Sequence, residues 1–141
     1  MAETAYYEHW SEYPISRWDW PNFTPEEIAS RTVVNGERGP KGPLLLNFHA
    51  LDCLQELRAF IGKPFHVNSA YRSPEYNRFV GGATHSKHME GIAFDISMHN
   101  HEDRGEFIRL ARQFGFNGIG HYSTFTHIDT RENPAEWWDN A

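Results

Sequence analysis

Cysteine is nearly absent. Cys53 stands alone among 141 residues, which excludes an internal disulfide framework and any zinc site built from several thiolates. Long apolar runs are missing as well: no stretch approaches the roughly 18 apolar residues a membrane span requires, so no membrane partner is expected. Cations are outnumbered, 13 Lys and Arg against 19 Asp and Glu, for a net charge of −6. Proteins that live on nucleic-acid phosphates carry the opposite balance, and nucleic acid is not an expected partner. Met1 to Trp20 carries acidic residues and scattered aromatics instead of a basic segment followed by an apolar one. The expectation is a chain made in the cytoplasm without a secretory signal.

What is present suffices for one core. Hydrophobic residues make up 39% and aromatics 15%, which argues against disorder, and the length suits a single domain over 1–141. Nine histidines are the one unusual count. They direct attention without naming a function.

Local patterns place the elements. Thr24, Pro25 and Glu27 form a helix-start signature, N-cap, first position and capping box, opening Asn22 to Arg31. Asn35 to Pro43 (NGERGPKGP), dense in Gly, Pro and charge, is expected to be a surface loop. His49 to Ile61 has apolar residues at spacings of three and four, with Gly62 as left-handed cap and Pro64 blocking continuation. A strand is expected within Phe65 to Tyr71, a helix from Ser73-Pro74-Glu75 to Gly81-Gly82, and a strand over Gly91 to Ser97. A second amphipathic helix follows over Glu102 to Phe114, then one or two strands within Gly118 to Thr130. The tail, with Trp137 and Trp138, is expected to fold back. The fold class is α+β, with a small, mainly antiparallel sheet and flanking helices.

Chemistry concentrates late in the chain. Asp95 projects from the strand away from its apolar face, and His88 lies in the glycine-flanked loop that feeds it. His127 and Asp129, two apart on the last strand, share a face. Two imidazoles and a carboxylate make a three-ligand set of the kind catalytic zinc uses, with the fourth position left to water. Taken singly, each has a plainer reading: a strand aspartate is often an edge charge, and a lone histidine is more often a core or surface residue.

Order and surroundings add a resemblance. Ser86-Lys87-His88-Met89-Glu90-Gly91-Ile92-Ala93-Phe94-Asp95 fits S-x-H-x-x-G-x-A-x-D, and Ser69 to Asn77 (SAYRSPEYN) fits S-x-Y-R-S-x-x-x-N. Gly118-Ile119-Gly120 and His127-Ile128-Asp129 supply a closing G-x-G and H-x-D. Together they resemble the zinc D-Ala-D-Ala peptidase family, of hedgehog/DD-peptidase fold, over about residues 20–138. The similarity is to the branch of small phage lysins and bacterial murein hydrolases.

That resemblance implies one Zn²⁺ per chain held by His88, Asp95 and His127. It implies Arg72 as a substrate clamp, whose planar fork suits a carboxylate or carbonyl, and Ser86 as a cleft residue. As residues, Arg72 has a plainer reading in a surface or structural ion pair, and Ser86 could equally cap the loop before His88. The position three before His127, acidic in better-known branches, is Thr124. His121 is the favoured general base in its place, with Asp129 either accepting the proton or orienting His127. The implied activity is hydrolysis of a peptidoglycan stem peptide or crosslink, by a monomer with no nucleic-acid or membrane partner. A phage lysin released to the cell wall fits. The alternative is a non-catalytic zinc-binding module of the same fold. The other histidines, including the His99 and His101 cluster, are expected to be bystanders.

Overall fold

Helix and strand boundaries follow the capping chemistry closely. The computed structural model describes residues 3–98 and 101–139. His99 and the side chain of His101 lie outside the described residues. β1 (Thr4–Tyr7) opens the chain and pairs antiparallel with β4 (Leu44–Asn47). Between them, α1 (Pro25–Ile28) begins at Thr24, whose hydroxyl accepts from the Glu27 N–H at 3.1 Å while Glu27 accepts from the Thr24 N–H at 3.2 Å. The helix makes only one turn, because Ala29 is already extended and leads the chain into a strand.

The segment expected to be a loop, Asn35 to Pro43, is instead largely a hairpin. β2 (Arg31–Val34) and β3 (Glu37–Lys41) pair antiparallel around Asn35-Gly36, whose φ angles are +53° and +76°. Positive φ at both central residues twists the turn to match the strands, and Asn-Gly tolerates it best. Pro40 is admissible in β3 because that strand pairs on one side only.

Asn47 caps α2 (Phe48–Ile61), accepting from the Ala50 N–H at 3.0 Å. Leu51, Leu54 and Leu57 line its buried stripe, and Gly62 closes it at φ +75°. β5 (Val67–Ser69) is shorter than expected. α3 (Pro74–Phe79) starts at Ser73, β6 spans Ala93–Ser97, and α4 spans His101–Gln113. β7 (Gly118–His121), β8 (Phe125–Asp129) and β9 (Ala135–Trp138) complete the chain.

These last strands build the main sheet, in the order β5-β6-β8-β7-β9. Pairing is antiparallel except between β7 and β9, where the tail returns in parallel, bringing Trp137 beside Gly120. The pleat sorts the sheet into two faces. Phe94, Ile96, Ile119 and Ile128 point into the core with Phe116, Leu110 and Ala111. By the same parity Asp95, His127, Asp129, Gly118, Gly120 and Trp137 share the other face. Asp95 and His127, the sheet residues of the candidate metal-holding group, both lie on that second face.

Candidate metal centre

Three side chains converge where β6 and β8 run side by side. Asp95 is paired in register with His127, so their side chains stand next to each other on one face. His88 arrives from a 3-10 turn over Lys87–Glu90, whose N-cap is Ser86, accepting from the His88 N–H at 3.2 Å. Gly91, at φ +75°, ends that turn and delivers the chain to β6. His88 Nε2 and His127 Nδ1 each lie 3.1 Å from Asp95 Oδ1. One ligand atom from each of the three lies within 4.8 Å of the others, and all three residues are buried.

The far side of each ring is anchored. His88 Nδ1 is 2.7 Å from the Ala70 carbonyl, and His127 Nε2 is 2.7 Å from Asp129 Oδ2. Acceptors there would keep the ring protons on the outer nitrogens once an ion is bound, so that His88 Nε2 and His127 Nδ1, which face Asp95 here, would turn lone pairs to the ion. Two imidazole nitrogens and a carboxylate oxygen suit zinc, and a tetrahedron with arms of about 2.0–2.1 Å has edges of roughly 3.3 Å, close to the spacing here. The donor set fits.

Asp129 is fully buried and saturated. Oδ1 accepts from the Arg131 backbone N–H (3.0 Å) and Nε (2.8 Å), and Oδ2 from Arg131 Nη2 (2.7 Å) as well as from His127. Burial alone would raise its pKa, but the Arg131 and His127 bonds outweigh it and hold the carboxyl well below the usual range. Asp95 behaves alike: burial opposes ionisation, and the bonds from His127 and His88 prevail. His127, between two carboxylates, has its pKa raised despite burial. Asp129 therefore orients its histidine and has no free lone pair directed at the cleft.

The glycines of the G-x-G make room for this. A Cβ on Gly118 would collide with the Asp129 carboxylate, and one on Gly120 would lie 2.6 Å from the Trp137 ring. Both positions face the site and neither can carry a side chain.

Residues 21–129 match the family model described as Peptidase M15. The chain belongs to the peptidase M15 family. This is the zinc D-Ala-D-Ala peptidase family, so membership makes the chain a peptidase of a zinc-dependent class, and His88, Asp95 and His127 form the group that could hold the ion. No curated protein matches the chain.

The remaining expected site residues of the M15 chain divide. Arg72 does line the cleft of about 560 Å³ above the three ligands. Its guanidinium is largely engaged, with Nη2 to Asp95 Oδ2 at 3.2 Å, Nε to Ser69 Oγ at 3.2 Å and Nη1 to Asn77 Oδ1 at 3.4 Å. It steadies Asp95 and keeps two N–H groups for other partners. Ser86 lines the cleft while capping the turn.

His121 does not join them. Its register partner is Thr126, so it shares the core-side face of the sheet with Ile119, opposite to His127. There its Nε2 lies 2.7 Å from Glu136 Oε2, and its ring stacks on Trp138 at 4.6 Å. The three-residue turn between β7 and β8 sets that parity. The expectation of His121 as general base is corrected accordingly.

Arg131, Trp137 and Tyr122 complete the cleft wall. Arg131 lies over the Trp137 ring at 4.9 Å, and the Trp137 indole N–H donates to Tyr122 Oη at 3.0 Å. That bond leaves the phenol proton free to donate. Arg104 on α4 holds the Tyr122 turn by donating to the carbonyls of Tyr122 (2.5 Å) and Met98 (2.8 Å). Arg131 is detectable in principle, since His127, Asp129 and Arg131 continue a period of two. Nothing local in the sequence marks Trp137.

Proposed function

We propose that this chain is a zinc peptidase of hedgehog/DD-peptidase fold that hydrolyses a peptide bond in peptidoglycan stem peptides or crosslinks. The observation that carries the reading is the convergence of His88 Nε2, Asp95 Oδ1 and His127 Nδ1 at the floor of an open cleft. Zinc, when bound, supplies a Lewis acid that polarises a carbonyl and acidifies water. The chain's own residues do the rest. Ala70 and Asp129 hold the two imidazoles in one tautomer each. Arg72 fixes Asp95 and presents its spare N–H groups to the substrate. Tyr122 directs its phenol proton into the cleft, where a developing oxyanion would accept it. On this reading the protein acts as a monomer at the cell wall, as a phage lysin does.

A non-catalytic zinc module is the second reading, and one observation favours it. None of the expected bases is available: Thr124 is too weak a base to take a proton, His121 faces away, and Asp129 is saturated. Digestion of purified sacculi by the zinc-loaded protein, with mass spectrometry of the new termini, separates the two. New stem-peptide termini that vanish on chelation are expected. Unchanged muropeptides would support the module instead.

A further inference from the structure

Beside the metal cleft, sharing Arg72 and Val80 with it, lies a second cavity of about 320 Å³. Its wall is basic. Arg31 and Arg38 come from the β2–β3 hairpin, Lys41 from the end of β3 and Arg72 from the chain after β5, while no Asp or Glu lines it. The protein carries a net charge of −6, so four cations around one hollow run against its overall balance.

Arg72 is paired with Asp95, but among the described residues no ion pair neutralises the other three. The Lys41 ammonium donates to the carbonyls of Ala29 (2.7 Å) and Glu27 (3.2 Å), and Arg31 to that of Gly39 (3.3 Å). Among the described residues, the ion pairs formed by Lys and Arg involve Arg72, Lys87, Arg109, Arg112 and Arg131, not Arg31, Arg38 or Lys41. Burial, then the Arg31 charge, lowers the Lys41 pKa, as expected where like charges crowd, although Glu26 and Glu27 pull it the other way. Such crowding costs stability until an anion enters. Asn68, Tyr71 and Tyr76 add polar groups to the lining.

We propose that this cavity is a subsite for a carboxylate of the peptide substrate, set apart from the bond being cut. The ligand class rests on the peptidase reading, and the shared Arg72 and Val80 are what tie the cavity to a chain lying in the metal cleft. Arginine forks bind carboxylates with paired N–H donors, and the hairpin presents two of them.

The test uses the zinc-loaded protein and four probes: L-Ala-γ-D-Glu-L-Lys-D-Ala, its glutamate α-amide, its C-terminal amide, and inorganic phosphate. Affinity is read as KM where a peptide is cleaved and as a calorimetric Kd where it is not. One of the two amidations is expected to weaken wild-type affinity roughly ten-fold, the size of a lost charge-assisted contact. R31Q/R38Q, on the exposed hairpin, should bind parent and amide alike, whereas R31K/R38K keeps most of the discrimination. Equal affinity for all three peptides, or discrimination surviving in R31Q/R38Q, overturns the proposal. Phosphate that binds the wild type but not R31Q/R38Q, and does so without competing with the peptide, would also overturn it, by making the cavity an anion site that the peptide does not use. Discrimination without hydrolysis would leave the subsite standing and remove the peptidase reading alone.

Discussion

At the scale of single residues, the site depends on groups outside the three that would hold the ion. Asp129 sits 2.7 Å from His127 Nε2 and is itself gripped by Arg131. In Asp129→Asn one of the Arg131 donors would face an amide NH₂, and His127 would lose a charged acceptor. Zinc affinity should fall by about 10- to 100-fold, as measured by competition with a chromophoric chelator. His121→Ala should leave that affinity unchanged, because its ring stacks on Trp138 across the sheet. Equal losses in both variants would contradict the placement of His121 on the core-side face. Cys53 offers a second residue-level expectation. Burial, then the charges of Glu56 and Asp52, push its thiol up to about 11 from 9.0. The thiolate is the reactive form, so at pH 8 the folded protein should react with iodoacetamide roughly a hundred-fold more slowly than the unfolded chain. The rate should climb only as pH approaches 11. Fast labelling of native protein at pH 8 would contradict the buried placement.

Elements are legible in the sequence to the extent that their signals are local. Thr24, Asn47, Ser73 and Ser86 each accept from a backbone N–H at a helix start. Three of these starts can be placed from sequence at or within two residues of their positions, because a cap acts over a single turn. The β6 strand is readable from alternation, and with it the ligand pair that β8 completes in register. Two things escape. Which face His121 takes depends on the length of the β7–β8 turn, since one residue more would flip every side chain of β7. The pairing of the tail with β7 is a long-range contact with no local trace. The Asn35-Gly36 hairpin is a different case: the signal is present but outweighed by the surrounding Gly, Pro and charge. Its weight can be measured. A Cβ on Gly36 meets nothing within 4 Å, so Gly36→Ala tests the backbone alone. With φ at +76° it should cost about 1–2 kcal/mol, or roughly 3 to 7 °C in Tm. A thermal melt of the single variant measures this, and an unchanged Tm would mean that the turn is not held at positive φ.

For the whole molecule, the metal site is also a clasp. His88 belongs to the connection between β5 and β6, Asp95 to a strand near one edge, and His127 to the middle strand. Without an ion, the inward face of both rings competes for a single Asp95 oxygen, and a strongly ionised carboxylate is left buried beside them. An ion that binds this folded arrangement and not the unfolded chain stabilises it by mass action, about 2.7 kcal/mol at a hundred-fold excess over Kd. Zinc should therefore raise Tm by roughly 5 to 10 °C, and EDTA should reverse the gain. His88→Ala should abolish the response even where it folds, because two ligands from adjacent strands cannot tie the loop to the sheet. A zinc-induced shift that persists in His88→Ala would mean the ion binds elsewhere. The clasp and the cleft are the same three side chains, so metal affinity, loop order and activity should fall together in any variant that loosens them.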